Sequence, residues 1–295
     1  MSAGDAVPME IGGRTLRIGH LDRVVYPATG TTKAEVLHYY TQVAPVILPQ
    51  LRDRPVTRIR FPEGVAGETF FEKNAPRGAP AWLRRHVIPA SPGTDDSQTL
   101  LDFPFLDDLA ALVWAANQGA LELHTPQWTV GPRGVIRHPD RLVIDLDPGA
   151  PATLSECAGV ARLVADRLRA DGLQPRPVTS GSKGLQLYAP LDGRRTALEI
   201  RRYARDLAHE LAAAHPERLV AVMRKELRRG KVLLDWSQNH PAKTTITPYS
   251  LRGRERPTVA APRTWDELAD PALRQLGPDE VVERLGTLGD LLASP

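Results

Sequence analysis

The chain has 295 residues, of which 42% are hydrophobic, and this is ample for a packed core; its formal net charge is only +3. A single cysteine, Cys157, excludes an intrachain disulfide and fits a reducing compartment. The sequence contains no apolar run of about 18 residues and no basic segment followed by an apolar one at its N-terminus. We therefore expect a soluble, cytoplasmic protein without a membrane anchor, and a monomer by default.

The chain order of the predicted elements mixes strands and helices without strict alternation. No repeat and no Gly/Ser-rich linker interrupts it, so one domain spanning 1–295 is expected. An α/β fold of the α+β type, with mixed or largely antiparallel sheets, is favoured over a Rossmann fold. Helices are predicted over 33–48, 107–119, 153–171 and 196–214 and in the tail from 264; strands are predicted over 55–62, 68–73, 121–128, 141–147, 175–180, 185–191 and 231–237.

The stretch RLVIDLDPG, residues 141–149, is an apolar strand that ends in two aspartates. Strand side chains alternate between two faces, so Asp145 and Asp147 share one face while Leu146 lies on the other. Two carboxylates on one face must be solvated, paired with cations or bound to a metal. Such a pair alone also fits a nucleotide-sugar transferase.

A third aspartate, Asp235, ends the predicted strand KVLLDWS in the same manner. Three carboxylates could hold two divalent cations with open positions for phosphate oxygens. The basic charge is concentrated in the same region, because residues 221–256 carry nine basic and three acidic residues. This segment indicates a polyphosphate or nucleic-acid partner, the alternative being a solvated surface of mixed charge.

The loop SGSKG, residues 180–184, joins two predicted strands. Its backbone N–H groups, serine hydroxyls and Lys183 could contact an anion, or the loop could be an ordinary hairpin turn. His124, in LELHTPQW, could contact a phosphate or a sugar or be structural. Phe70 and Phe71 could be core or could stack on a base, and one inward and one outward ring is the simplest expectation for neighbours on a strand.

Several motifs in this order closely resemble the polymerase domain of bacterial DNA ligase D, a member of the archaeo-eukaryotic primase superfamily. They are LDRVVYPATGTTK, FFEK, ALELHTPQW, DLDPG, TSGSKGLQLYAPL, KVLLDWSQN, KTTITPYSLRGR and VAAPRTWDEL, and they cover roughly residues 15–292. The resemblance implies a primase-polymerase fold and a nucleotidyltransferase that adds ribonucleotides preferentially, and also deoxynucleotides, to DNA 3′ ends. It further implies gap filling in non-homologous end joining and a two-metal mechanism with Mn²⁺ preferred over Mg²⁺.

The resemblance also implies a role for individual residues. The metal ligands would be Asp145, Asp147 and Asp235. The incoming nucleotide would be contacted by His124, Ser180, Lys183, Gln186, Gln238 and Arg252. The DNA would be contacted by Arg23 and Lys33 at a 5′-phosphate, by Phe70 and Phe71 at the template, by Lys73 beside them, and by Arg228 near the primer and metals.

Three positions depart from the family pattern. Gln186 stands where the family usually has a histidine, and glutamine can donate a hydrogen bond but cannot carry charge. Ile59 occupies a position that is often basic. Arg23 replaces a usual lysine and keeps the charge.

The leading hypothesis is therefore a stand-alone DNA-end polymerase that acts on gapped or broken duplex DNA with a 5′-phosphate and uses NTPs or dNTPs. It lacks a KxDG ligase motif, so a separate ligase, and also Ku, are expected partners at the bacterial nucleoid. A DNA-end binding module with reduced synthesis is the alternative, and a metal-dependent nuclease is a third possibility. A nuclease could use the same carboxylates but has little need for the SGSKG loop, which favours the polymerase.

Overall fold

The elements of the fold are described over residues 6–293 in a computed structural model. The helices are α1 (Lys33–Leu51), α2 (Leu109–Asn117), α3 (Leu154–Ala170), α4 (Ala197–Ala214) and α5 (Pro278–Leu288). The strands are β1 (Val7–Ile11), β2 (Arg14–Ile18), β3 (Val24–Tyr26), β4 (Thr31–Thr32), β5 (Thr57–Arg60), β6 (Phe70–Glu72), β7 (Arg85–Pro89), β8 (Leu100–Pro104), β9 (Ala120–Thr125), β10 (Trp128–Val130), β11 (Ile136–Pro139), β12 (Arg141–Pro148), β13 (Arg176–Thr179), β14 (Leu185–Pro190), β15 (Leu219–Val220), β16 (Val232–Asp235), β17 (Thr245–Ile246), β18 (Leu251–Arg252), β19 (Thr258–Val259) and β20 (Ala261–Pro262). Short 3-10 helices lie at Asp95–Gln98, Lys225–Arg228, Trp236–Asn239 and Glu267–Ala269.

A six-stranded sheet in the order β15-β16-β12-β14-β13-β20 carries the DLD strand at its centre. All its pairs are antiparallel except β15 with β16, so the predicted largely antiparallel sheet is confirmed. Leu142, Ile144 and Leu146 of β12 pack with α3 and α4 in one hydrophobic core. The alternation therefore leaves Asp145 and Asp147 on the opposite face.

A four-stranded antiparallel sheet in the order β17-β9-β5-β6 forms the second layer and packs with α1 and α2. Between the two sheets lies a small core that includes Val143, Tyr188 and Ile246. The face of β12 that bears the aspartates thus looks toward the second sheet. Within residues 6–293, no helix is long and apolar enough to cross a membrane.

Three of the predicted helix starts coincide with capping boxes. Thr32 accepts a hydrogen bond from the Glu35 backbone N–H, and Glu35 accepts one from the Thr32 N–H; Thr153 with Glu156 does the same for α3, and Thr196 with Glu199 for α4. Helix α1 extends three residues beyond its predicted end, through Pro45 and Pro49. Cys157 lies on α3 and is buried in the core.

Within residues 6–293, five two-stranded antiparallel pairs were not predicted: β1 with β2, β3 with β4, β7 with β8, β10 with β11, and β18 with β19. Their strands mix polar and apolar residues, so they show no clear alternation. The tail from Thr264 is only partly helical, with α5 as its one α-helix and a short 3-10 helix before it. These elements lie outside the sheet that carries the aspartates.

Asn239 completes the edge of β12 where its pairing with β16 stops. That pairing ends at Asp145 opposite Asp235, and the next free backbone groups of β12 belong to Val143. The Asn239 amide donates to the Val143 carbonyl oxygen at 2.7 Å, and its oxygen accepts from the Val143 N–H at 3.0 Å. A buried side chain thereby replaces a strand partner.

We predict that Asn239→Ala lowers the free energy of unfolding by about 2–4 kcal/mol, because it leaves two buried backbone groups unsatisfied. Urea denaturation followed by circular dichroism measures this. The control is Asn117→Ala, whose amide donates to the Arg17 carbonyl oxygen at an exposed site and should cost much less. Equal losses for the two variants would contradict the role given to Asn239.

Candidate active site

Three polar side chains form a row across the centre of the six-stranded sheet. Asp145 on β12 lies opposite Gln186 on β14 and opposite Asp235 on β16. The Gln186 amide donates to Asp145 Oδ1 at 3.1 Å, and the Tyr188 hydroxyl donates to Gln186 Oε1 at 2.9 Å. The antiparallel register therefore brings together two aspartates that lie far apart in the sequence.

Repulsion among the carboxylates changes their acidity. Burial, followed by the charge of Asp147, raises the pKa of Asp145 to about 8. Burial and then Asp235 raise the pKa of Asp147, while Arg228, Arg252 and Lys183 act in the opposite direction. Carboxylates with such raised pKa values favour a bound proton or a cation over separate charges.

Asp235 is already bound by neighbouring donors. It accepts from the Ser237 N–H at 3.0 Å, from the Ser237 hydroxyl at 2.5 Å and from the Gln238 amide at 2.9 Å, and Lys243 Nζ lies 3.9 Å away. Within residues 6–293, no three Asp, Glu, His or Cys side chains converge as a ready metal site. Completing one would require Asp235 to exchange some of these bonds for a cation.

A cavity of about 420 Å³ opens onto this row and is walled by residues from both sheets. The predicted site residues that line it are His124, Asp145, Asp147, Ser180, Lys183, Gln186, Gln238 and Arg252. It is also lined by Ser182, Thr244, Thr245, Ile246 and Arg254, of which KTTITPY supplies three. Asp235 lies next to Asp145 behind this wall.

Several hydrogen-bonding groups of the SGSKG loop are already paired within the chain. The Ser180 hydroxyl donates to the Gly184 carbonyl oxygen at 2.9 Å, and the Gly181 N–H donates to Gln275 Oε1 at 2.7 Å. A Cβ at Gly184 would lie 1.9 Å from the Leu146 carbonyl oxygen, so glycine allows the loop to pass close to β12. Among the described residues, Lys183 has no ion pair, and it remains the loop's cation toward the cavity.

The residues predicted to contact DNA lie outside the cavity. Arg23 and Lys33 are neighbours, since the Lys33 N–H donates to the Arg23 carbonyl oxygen at 2.8 Å. Burial and the Arg23 charge lower the pKa of Lys33 to about 8. Arg228 lies close enough to Asp147 to influence its pKa, and burial lowers the pKa of Lys73.

The expectation for the two phenylalanines was wrong. Phe70 is 39% exposed and Phe71 is 61% exposed, so neither ring points into a core. Both belong to β6, the edge strand of the four-stranded sheet, which pairs only with β5. Because little packs on that edge, both faces of the strand are open.

Glu122 is a site residue that sequence reasoning missed. It is buried on β9, two residues before His124, and receives bonds from the side chains of His124 and Arg252. The alternation in ALELHT already places Glu122 and His124 on one face. Its link to Arg252 could not be predicted, because β18 is distant in the sequence.

A mixed α/β fold with aspartates and cations around one cavity fits a nucleotidyltransferase of the primase-polymerase class. The chain belongs to the LigD primase-polymerase domain family, whose model matches residues 32–292. It is 49% identical over 280 residues to the multifunctional non-homologous end joining protein LigD of Mycolicibacterium smegmatis, covering 94% of this chain and 36% of that protein. It is 34% identical to the bifunctional LigD of Bacillus subtilis, covering 93% of this chain and 43% of that protein.

A solved structure gives the same result. The polymerase domain of Mycobacterium tuberculosis ligase D in complex with DNA aligns with a TM-score of 0.88 and 47% identity, covering 94% of this chain and 96% of that one. The predicted family and the primase-polymerase fold are thereby confirmed. The chain spans roughly a third to two fifths of the curated relatives named above.

We predict that Asp145→Asn stabilises the metal-free protein, and more so at pH 8 than at pH 5. The pKa of Asp145 is about 8 in the folded protein and about 3.9 in an unfolded chain. The folded state therefore holds a proton that the unfolded state has lost, and stability falls as the pH rises between these values. The Asp145→Asn variant has no ionisable group at this position, so its stability does not fall with pH for this reason.

Melting temperatures in EDTA at the two pH values measure the difference. Asp192→Asn, at a largely exposed carboxylate, is the control and should show no such trend. The same stability gain for Asp145→Asn at pH 5 and pH 8 would contradict the prediction.

Proposed function

We propose that the protein is a template-directed polymerase that adds nucleotides to DNA 3′ ends, with ribonucleotides preferred and deoxynucleotides also accepted. Its substrates would be gapped or broken duplexes with a 5′-phosphate. The M. tuberculosis relative is described in complex with DNA, and the M. smegmatis relative is described as an end joining protein. These descriptions and the cavity together support the proposal.

The main observation in support of this proposal is that the cavity is lined both by carboxylates and by basic side chains. Asp145 and Asp147 lie on one wall, and Lys183, Arg252 and Arg254 line the same space. A nucleoside triphosphate with divalent cations matches this division, since the cations would meet the carboxylates and the phosphates would meet the basic side chains. A neutral ligand would leave both sets of charges unmatched.

The donor set suits Mn²⁺ or Mg²⁺, because both ions prefer carboxylate oxygens. Asp145 and Asp147 would hold the ions, and Asp235 would join them on release from Ser237 and Gln238. Two bound ions would lower the pKa of the attacking 3′-hydroxyl and neutralise the leaving pyrophosphate. That two ions bind, and that Mn²⁺ is preferred, is part of the proposal.

The chain's own residues have distinct roles in this mechanism. Lys183 and Arg252 stabilise negative charge on the phosphates, and Gln186 orients Asp145 through its 3.1 Å bond. His124 lines the cavity beside them and would contact the nucleotide, and Ser180 and Gln238 would do so on exchanging their present bonds to the Gly184 carbonyl oxygen and to Asp235. In-line attack on the α-phosphate then needs no covalent enzyme intermediate.

The DNA would lie across the surface outside the cavity. The neighbouring cations Arg23 and Lys33 would bind the 5′-phosphate, and the exposed rings of Phe70 and Phe71 would stack on the template. Lys73 and Arg228 would contact the strands near these two points. Ku and a DNA ligase would act with this enzyme at broken ends on the nucleoid.

The test is primer extension on a gapped duplex with a 5′-phosphate, in Mn²⁺ and in Mg²⁺, with NTPs or dNTPs. We expect extension by the wild type, faster with NTPs and with Mn²⁺. The double variant Asp145→Ala, Asp147→Ala should be slower by at least about a thousandfold, because it cannot hold the ions. Extension by the double variant would contradict the assigned metal ligands.

A DNA-end binding module with reduced synthesis is the second candidate. It is favoured by one observation, that the side chain beside Asp145 is the uncharged Gln186 at a position where the family usually has a histidine. We expect Gln186→His to leave the extension rate within about threefold of wild type, since glutamine already donates to Asp145. A rise well beyond that in the same assay, with unchanged DNA affinity, would support the binding module instead.

A further inference from the structure

Glu122 is a buried carboxylate with three N–H donors around it. His124 Nε2 lies 2.9 Å from Oε2, Arg252 Nη1 lies 3.1 Å from the same oxygen, and the Gly253 N–H donates to Oε1 at 3.0 Å. Burial acts to raise the pKa of Glu122, but these partners outweigh it and the pKa is lowered. Glu122 is therefore an anion that contacts side chains or backbone groups of two separate segments, one at β9 and one at the end of β18.

The side chains that Glu122 holds both line the cavity, whereas Glu122 itself does not. Among the described residues, Glu122 is the one hydrogen-bond partner of the His124 ring. With Nε2 turned to Glu122, the other ring nitrogen, Nδ1, is the atom that His124 has available for a ligand. Glu122 therefore fixes the orientation of His124.

Arg252 is held by Glu122 with most of its donors unused in the part of the chain that the structure describes. Its Nη1 contacts Glu122, while its Nε is buried and has no partner within residues 6–293. Gly253 allows this placement, because a Cβ there would lie 2.1 Å from Cζ of Phe61 and would push the segment away from Glu122. Arg252 lines the cavity, and a guanidinium has five N–H donors, so it keeps donors for an anionic ligand that enters there.

We propose that Glu122 is a positioning residue of the nucleotide pocket, which fixes His124 and Arg252 in the geometry that binds the incoming triphosphate. The inference rests on the proposed polymerase function and adds a residue to it. Glu122 touches neither metal nor nucleotide in this scheme. Its effect passes through the two side chains that it aligns.

The test is Glu122→Gln, measured by nucleotide KM and kcat in primer extension. Glutamine keeps the size of the side chain but carries no charge to pair with Arg252. Its NH₂ group cannot accept a hydrogen bond, so it must face either the Gly253 N–H or the donors of His124 and Arg252. We expect the nucleotide KM to rise by about tenfold or more, with a smaller fall in kcat and with unchanged affinity for the gapped DNA.

The matched control is Glu267→Gln. Glu267 also accepts from two arginines, at 3.1 Å from Arg263 and at 2.9 Å from Arg284, but none of the three lines the cavity. This variant should lower the melting temperature and leave the nucleotide KM unchanged. It separates a loss of general stability from a loss of positioning.

A double-mutant cycle with His124→Ala and Arg252→Gln keeps the test decisive if Glu122→Gln lowers stability. All measurements are made below the lowest melting temperature. If Glu122 is a positioning residue, Glu122→Gln should raise the nucleotide KM little further in a protein that already lacks the His124 and Arg252 side chains.

Two results overturn the inference while wild-type extension still supports the polymerase. They are an unchanged nucleotide KM for Glu122→Gln and a fully additive effect on KM in the cycle. Absence of wild-type extension overturns the polymerase and this inference together.

Discussion

Three carboxylates lie close together at the centre of the six-stranded sheet, and the surrounding residues must stabilise their negative charge. Asp145, Asp147 and Asp235 are brought together by strand register, which is fixed by the apolar residues on the other face of β12. A shift of one residue would turn the leucines outward, so the carboxylates cannot separate without loss of the core. Relief of the repulsion must come from protons, donors or cations supplied to that face.

The surroundings provide this relief in two ways. Neutral donors act at short range, since Gln186 binds Asp145 while Ser237 and Gln238 bind Asp235. Cations act from further away, because Arg228, Arg252 and Lys183 all lower the pKa of Asp147. The donors leave oxygen lone pairs open, so the site is prepared for a cation without being neutralised by the protein.

The central sheet and much of the site could be predicted because they depend on local patterns. The alternation in RLVIDLDPG determines which face bears the aspartates, and capping boxes determine where α1 and α3 begin. The hairpin β7 with β8 was missed because two adjacent apolar residues, exposed Val87 and buried Ile88, obscure the alternation in the sequence. The exposure of Phe70 and Phe71 depends on the edge position of β6, which is a property of strand order and not of the sequence of that strand.

The roles of individual polar groups were harder to predict than their location. SGSKG was expected to offer hydroxyl and backbone N–H groups to an anion, yet Ser180 and Gly181 bond within the chain and Lys183 is left to act. Glu122 was missed for a related reason, because its partners come from β18 and no local pattern connects the two. Hydrogen-bond partners depend on tertiary structure, whereas residue type and strand face do not.

Arg252 shows how the two sets of charges are connected. It contacts Glu122 directly and is close enough to Asp145 and Asp147 for each to raise its pKa against the effect of burial. In the proposed mechanism two divalent cations and a triphosphate would nearly cancel each other's charge, so their entry together would leave the net charge of the cavity almost unchanged. The pairing would change, since the carboxylates would gain cations and Arg252 would gain phosphate oxygens. On the proposed role of Glu122, its ion pair would keep the Arg252 guanidinium in place for that exchange.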